Sequence, residues 1–297
     1  MSQKSKAFLM IIVIHKIKLN LMENKMNCEE NCCNTDIPKM LEISKVIDEA
    51  KGQKSFFFNY SIDCRPGEFV MVWIPNIDEK PMAISYCSKN EFAITSQIVG
   101  KFTKALDLLK KGDKVGIRGP YGNGFSIKPN ACVVAGGVGM SSVSTLIDNL
   151  KNPVVIYGAR SKEHLIYLKR YKSKKMLIAT DDGSYGKKGF NTVLLEEALA
   201  NKKSKIKIVY TCGPEIMMKK VFDICSKYKV EFEASVERYM ACGFGICGKC
   251  MINDKICCMD GPIFNANQLS RMSEFGSFAR AKSGKRLSLQ EYHSVHQ

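Results

Sequence analysis

The chain has 297 residues, with 45 lysines and arginines against 29 acidic residues, a formal net charge of +16 and a hydrophobic fraction of 45%. That apolar content can fill real cores and excludes a disordered chain, and the length allows two domains or three small modules. The lysines are spread along the whole sequence, and the one compact run, Lys169-Arg170-Tyr171-Lys172-Ser173-Lys174-Lys175, lacks the aromatic interleaving of a single-strand binder, so nucleic acid is not an expected partner.

Residues 1–36 read as an extension of uncertain worth. Its apolar run at 8–14 (FLMIIVI) is too short to span a bilayer, which takes about 20 residues. No small-residue cleavage site follows, so neither a secretory signal nor a membrane anchor is expected. Met22, Met26 and Met40 are each candidate starts. Cys28, Cys32 and Cys33 lie here and read as incidental thiols. The chain has thirteen cysteines, an odd count, which speaks for a reducing, cytoplasmic setting where clustered cysteines hold metal rather than disulfides.

Residues 37–129 are β-rich and punctuated. Ser55-Phe-Phe-Phe-Asn-Tyr60, Glu68-Phe-Val-Met-Val-Trp-Ile74 and Glu91-Phe-Ala-Ile-Thr95 read as strands, with turns at Arg65-Pro66-Gly67 and Ser88-Lys89-Asn90. Short strands at this spacing predict a small antiparallel barrel, with a helix over 103–109 to cap it. The pattern changes over 130–235. Ala131-Cys-Val-Val-Ala135 is a continuous apolar run of the buried parallel kind, followed by Gly136-Gly137-Val138-Gly139 and an amphipathic stretch over 143–150. Strands at 153–157, 175–180 and 207–211 alternate with helices at 192–200 and 216–228. That alternation predicts a doubly wound α/β domain. Residues 236–297 form a third module.

This last module holds Cys242-Gly-Phe-Gly-Ile-Cys247-Gly-Lys-Cys250, then Cys257-Cys258. The first three cysteines follow C-x4-C-x2-C, the plant-type ferredoxin spacing, and a fourth comes later. Two bridged irons need four thiolates converging from one tight loop. Gly243, Gly245 and Gly248 let the backbone wrap closely and offer N–H groups to sulfur. Zinc usually asks for two C-x2-4-C knuckles, and only one such pair is present. Spacing leaves Cys257 and Cys258 open as the fourth ligand.

The run Glu237-Arg238-Tyr239-Met240-Ala241-Cys242 through Cys250, then Cys258-Met259-Asp260-Gly261-Pro262-Ile263-Phe264, resembles the electron-transfer subunit of class 1B dihydroorotate dehydrogenase. The resemblance covers roughly residues 38–297. It implies a ferredoxin-reductase-like fold of FAD barrel, NAD-type domain and 2Fe–2S module. It also implies Cys242, Cys247, Cys250 and Cys258 as ligands, with Cys257 a bystander.

The flavin site enters through the same resemblance. The superfamily has Arg-Pro-x-Ser where this chain has Lys80-Pro81-Met82-Ala83, placed here between two predicted strands. Lys80 keeps the charge but loses the bidentate fork, and Ala83 loses the hydroxyl, which Ser85 or a backbone N–H would replace. Thr95-Ser96-Gln97 matches a second flavin-contacting strand. Gly100-Lys101-Phe102-Thr103 matches Gly-x-Gly-Thr at a helix start, where Thr103 and free N–H groups would cradle pyrophosphate, with Phe102 in place of the second glycine. Gly119-Pro120-Tyr121-Gly122-Asn123-Gly124-Phe125 matches the loop between barrel and α/β domain. For NAD the resemblance implies Gly136, Gly137 and Gly139, then Cys212-Gly213-Pro214 after the last strand, with Asp181-Asp182-Gly183-Ser184-Tyr185-Gly186 beside the nucleotide.

The residues show no nucleophile–base pair, and His15, His164, His293 and His296 are isolated in the sequence. No acid–base residue is therefore expected. The resemblance implies that dihydroorotate is oxidised on the FMN of a separate catalytic subunit, two of each forming a heterotetramer, and that this chain drains the electrons through the cluster and FAD to NAD, in the service of pyrimidine biosynthesis. Two alternatives stay open: the small subunit of an NADH-dependent ferredoxin:NADP oxidoreductase (sulfide dehydrogenase), and a zinc-binding interaction module. Ile263, Phe264, Leu269, Met272, Phe275 and Phe278 are expected either to form an apolar contact surface for a partner or to cover the α/β domain.

Overall fold

A computed structural model describes residues 37–295. The run at 8–14, Cys28, Cys32, Cys33, His15 and His296 lie outside the described residues, as does the side chain of His293. Seven antiparallel strands come first: β1 (Lys39–Glu42), β2 (Lys45–Ala50), β3 (Gln53–Phe58), β4 (Phe69–Ile74), β5 (Asp78–Cys87), β6 (Phe92–Gln97) and β7 (Lys114–Tyr121). They pair in the order β1-β7-β4-β5-β6-β3-β2 and curl into a half-barrel. The period of two sends Phe92 and Ile94 of β6 inward, onto Phe56, Phe58, Val70 and Val72. Helix α1 (Lys101–Asp107) covers one end and contributes Phe102 and Leu106 to the same core.

The α/β half follows: β8 (Ala131–Gly136), α2 (Gly139–Asn149), β9 (Val154–Ala159), β10 (Met176–Thr180), β11 (Lys187–Lys188), α3 (Asn191–Ala200), β12 (Ile208–Cys212), α4 (Glu215–Tyr228) and β13 (Glu231–Ser235). The unbroken apolar run of β8 is explained by burial on both faces. Val133 and Ala135 meet Met140, Val143 and Leu146 of α2 on one side. Cys132 and Val134 meet Leu195 of α3 and Met218 and Val221 of α4 on the other. Helix α4 stops where Lys229 turns left-handed at φ +55° and its N–H returns to the Ser226 carbonyl.

The third segment packs onto the α/β half. It contains β14 (Met251–Ile252), β15 (Lys255–Ile256), α5 (Cys257–Asp260), β16 (Ile263–Asn265), α6 (Ala266–Leu269), β17 (Phe278–Arg280), β18 (Arg286–Ser288) and α7 (Leu289–Val295). Strand β16 pairs antiparallel with β13, which extends the sheet to β11-β10-β9-β8-β12-β13-β16. Half-barrel, sheet and cysteine segment form one compact unit, Lys39–Gln297. Of the six apolar residues that were candidates for a contact surface, Ile263, Phe264, Leu269, Met272 and Phe275 are core residues of this unit. Only Phe278 is exposed. The covering role is the one they have.

Lys80 to Ser85, between the two predicted strands, itself runs inside a strand, the ten-residue β5. Pro81 argues against a strand on sequence grounds, since it cannot donate to a ladder. It is tolerated because β5 pairs with β4 along Asp78 to Ala83 but with β6 only from Ile84 on. One edge of β5 is therefore open beside Lys80-Pro81-Met82-Ala83.

The two halves are bolted together at Ser85. Its carbonyl accepts from Ser144 Oγ of α2 at 2.5 Å and from Arg170 Nη1 at 2.9 Å. Its hydroxyl meets the Thr95 hydroxyl at 2.9 Å, and Thr95 in turn bonds the Tyr167 hydroxyl and Ser55.

Candidate functional site

The loop between Cys242 and Cys250 is built on glycine. Gly243, Gly245 and Gly248 have φ of +85°, +90° and +65°, a region that side chains with a Cβ rarely adopt. A Cβ on Gly245 would also stand 2.6 Å from Met259 Sδ. These turns aim backbone N–H groups at sulfur. Burial works against the Cys242 thiolate, but the N–H groups of Cys247, Phe244 and Ile246 and the Cys247 thiol outweigh it and pull Cys242 down to about 7. Cys250 is pulled down to about 6, first by the Cys258 thiol and then, against burial, by the N–H groups of Cys258 and Cys257. The Cys258 thiol is pushed up by the same bond and by burial.

The thiols thus fall into two pairs, Cys242 with Cys247 and Cys250 with Cys258. Among the described residues no three His, Cys, Asp or Glu side chains gather closely enough to hold a single metal ion. Four thiols in two pairs, ringed by N–H groups, fit a two-iron cluster, which takes one pair per iron. Cys257 faces elsewhere: its buried thiol donates to the Val236 carbonyl at 3.3 Å, and burial pushes it up. Cys258, by contrast, accepts the Gly245 N–H at 3.2 Å.

The residues expected at the flavin divide. Lys80, Pro81, Met82, Ala83 and Gln97 are half-buried, beside the open edge of β5 and at the end of β6. Ile98 and Val99, next to Gln97, are exposed apolar residues, as a surface covered by a ring system would be. Lys80 is paired with Asp78 at 2.5 Å. Thr95 and Ser96 are only 4% and 6% exposed. Thr95 is spent in the bonds between the two halves, and Ser96 shares the inward side of Phe92 and Ile94. Phe102 is a core residue. The Thr103 hydroxyl is turned to its own loop, accepting the N–H groups of Val99 and Gly100 at 2.8 and 2.9 Å. What remains for a phosphate is backbone. The first helical bond of α1 is Lys104 N to Gly100 O, so the N–H groups of Lys101, Phe102 and Thr103 have no partner within the helix.

The glycines of the α/β half meet at the carboxyl ends of β8 and β12, where open α/β sheets take their ligands. A Cβ on Gly139 would lie 2.5 Å from the Cys212 carbonyl oxygen, and one on Gly136 would lie 2.9 Å from Pro214 Cδ. Gly213 sits against Gly136 at a similar approach. Gly137 has φ +54° and nothing within 4 Å of its would-be Cβ, so it faces open space. The thiol of Cys212 itself is buried in the core. At the end of β10, the Asp182 carboxylate accepts the N–H and hydroxyl of Ser184, which hold it below the usual carboxylate range. This cradle fits a dinucleotide. His164 bonds Ser161 Oγ at 2.7 Å and takes no part in it.

Sequence reasoning missed three features. One is the open edge of β5. Another is the buried pair of Arg238 with Glu215, whose Nη1–Oε2 distance is 2.5 Å. The third is the pair of Arg118 with Glu79 beneath the cysteine loop. The last two join residues far apart in the chain, for which no local pattern exists. No helix among the described residues is long and apolar enough to cross a membrane.

A family model for the iron-sulfur cluster binding domain of dihydroorotate dehydrogenase B matches residues 237–270. A Methanocaldococcus jannaschii protein, named a probable dihydroorotate dehydrogenase B (NAD(+)) electron transfer subunit, is 43% identical over 84% of this chain and 98% of its own length. Proteins of the same name from Pyrococcus furiosus and Thermoplasma acidophilum are 40% and 37% identical, each over 98% of its own length. Among solved structures, a chain of an NADH-dependent reduced ferredoxin-NADP oxidoreductase superposes with a TM-score of 0.71 at 27% identity, covering 80% of this chain and 93% of that one. Phthalate dioxygenase reductase superposes with a TM-score of 0.57 at 19% identity, covering 72% and 85%, and shares the fold.

Proposed function

The chain belongs to the family of dihydroorotate dehydrogenase B electron-transfer subunits, and on that footing we propose that it carries electrons from a catalytic partner through a 2Fe–2S cluster and FAD to NAD. The observation that carries the proposal is the gathering of four thiols into two pairs, in a loop packed on the half-barrel that bears Lys80-Pro81-Met82-Ala83.

Cys242, Cys247, Cys250 and Cys258 are the cluster ligands. Lys80, Pro81, Met82, Ala83 and Gln97 line the flavin, and the N–H groups at the start of α1 take its pyrophosphate. Gly136, Gly137, Gly139, Gly213 and Pro214 line the nucleotide. FAD supplies the exchange between two-electron chemistry at a nicotinamide and one-electron chemistry at iron. The protein holds both sites close.

The partner is the FMN-containing catalytic subunit, in a heterotetramer of two and two. The surface it meets is the mouth of the cysteine loop. There Ile246 is 80% exposed and Met259 66%, beside the exposed Cys247. This apolar rim takes the place of the buried residues 263–275.

Anaerobic reconstitution with iron, sulfide and flavin tests the reading. Two irons and one FAD per chain are expected. Recovery of zinc, or of FMN alone, would contradict it. The likeness to the ferredoxin-NADP oxidoreductase chain supports a second reading, a small subunit of that enzyme type. A co-purifying FMN β/α-barrel subunit favours the first reading, and a large glutamate-synthase-like flavoprotein the second.

A further inference from the structure

One buried cation joins the strand bearing Lys80 to the cysteine loop. Arg118 of β7 is 7% exposed. Its guanidinium grips Glu79 through two bonds, Nε to Oε1 and Nη2 to Oε2, each 2.6 Å. Glu79 directly precedes Lys80 on β5. The same guanidinium lies 5.3 Å from the centre of the Phe244 ring and 5.8 Å from that of Tyr121. Phe244 is the second residue after Cys242. Gly243 between them is pressed onto Met71, where a Cβ would come within 2.7 Å of Cγ. Met71 is the cross-strand neighbour of both Pro81 and Arg118. On the other side of Cys242, the Lys80 ammonium sits 5.4 Å from the centre of the Tyr239 ring. Glu79 is thus linked through Arg118 to Phe244, and Lys80 directly to Tyr239, one on each side of Cys242.

A buried ion pair is poor evidence for stability, because two apolar residues of the same volume often serve as well. What the fork of Arg118 adds is direction. Two parallel bonds fix the plane of the guanidinium on Glu79, and a planar cation beside Phe244 fixes the ring in turn. We propose that Arg118 is a positioning residue for electron exchange between the cluster and flavin sites. It bridges Glu79 and Phe244 and so sets the seat of the 242–250 loop on the flavin-bearing strand. The inference rests on the functional reading above and adds to it the residue that holds the two sites in register.

The test uses the full reconstituted chain and three variants. Arg118→Met keeps the length and loses the fork, Arg118→Lys keeps the charge, and Glu79→Gln weakens the pair from the other side. Three quantities are read: iron content, amide hydrogen exchange over 242–250, and rapid mixing with NADH followed at the flavin absorbance and by freeze-quench EPR of the cluster. In Arg118→Met, iron content and flavin bleaching should match the parent. The loop amides should exchange faster, and cluster reduction should slow about tenfold or more, the scale of a small misplacement. Glu79→Gln should shift the same way to a smaller degree, and Arg118→Lys should recover part of the rate. Parent-like loop exchange or cluster reduction in Arg118→Met would overturn the proposal. So would loss of iron from both Arg118→Met and Glu79→Gln, which would make the pair a structural support only. A parent chain that takes up no flavin would instead overturn the functional reading, and this inference with it.

Discussion

The backbone N–H of Gly245 donates to the Cys258 sulfur at 3.2 Å, while the neighbouring Cys257 thiol points the other way, to the Val236 carbonyl. Adjacent cysteines on the short helix α5 thus have opposite environments. Cys258→Ser should abolish the visible circular dichroism of the cluster. Cys257→Ser should keep that spectrum, because a hydroxyl can still donate to Val236, at a stability cost of about 1 kcal/mol. The reverse pattern would reassign the fourth ligand.

Gly137 and Gly139 differ in what surrounds them, and so should their alanine variants. In Gly139→Ala the new Cβ meets the backbone oxygen of Cys212 at 2.5 Å, and backbone cannot step aside. A large fall in melting temperature and loss of NADH binding are expected. In Gly137→Ala the space is open, so the positive φ costs about 1 kcal/mol. The fold should survive, with weaker NADH affinity as the methyl enters the cleft. Calorimetry and fluorescence titration separate the two.

Arg238 and Glu215 tie the turn after β12 to the segment leading into Cys242, and Glu215 also accepts the Gly276 N–H at 2.8 Å. Arg238→Met strands a buried carboxylate and should cost about 3–5 kcal/mol in urea unfolding. Arg238→Met combined with Glu215→Leu should recover much of that loss. Additive losses in the double variant would show that the two side chains act independently.

Glu49 gives a pH signature. Burial raises its carboxyl above the ordinary 4.5, against the opposing bond from Ser55 and the charge of Arg170. A folded-state value above the unfolded one contributes stability that is full below the unfolded value and lost as pH rises through the folded value. Glu49→Gln keeps the acceptor for Ser55 and removes the titration. Its melting temperature should exceed the parent's at about pH 8 and show no such gain at about pH 4. A constant difference across that range would contradict this.

Much of this architecture is legible in local pattern. The apolar run of β8, the glycines after it and the C-x4-C-x2-C spacing are each set by neighbours a few residues away, and each stands where the pattern predicts. The resemblance adds the choice of Cys258, whose contact with Gly245 depends on the fold of the whole loop. Illegible were features made by pairing over distance. Strand β5 was hidden by Pro81, because the open edge that tolerates a proline exists only once β4 and β6 are in place. Phe264 and Met272 look like a docking surface until β16 joins β13 and buries them. Thr95 and Thr103 look free for a ligand, but their hydroxyls are taken by Tyr167 and by the Val99–Gly100 turn.

On the proposed reading this chain passes electrons and leaves the oxidation of dihydroorotate to a catalytic partner. This reading is tested most directly by reconstituting the chain with iron, sulfide and FAD and assaying it with and without a candidate FMN-containing catalytic subunit. The isolated chain should reduce ferricyanide with NADH yet form no orotate from dihydroorotate. Adding the FMN subunit should switch on orotate formation coupled to NAD reduction. Orotate formation by the isolated chain would contradict the account, as would NADH oxidation that no FMN subunit can link to dihydroorotate.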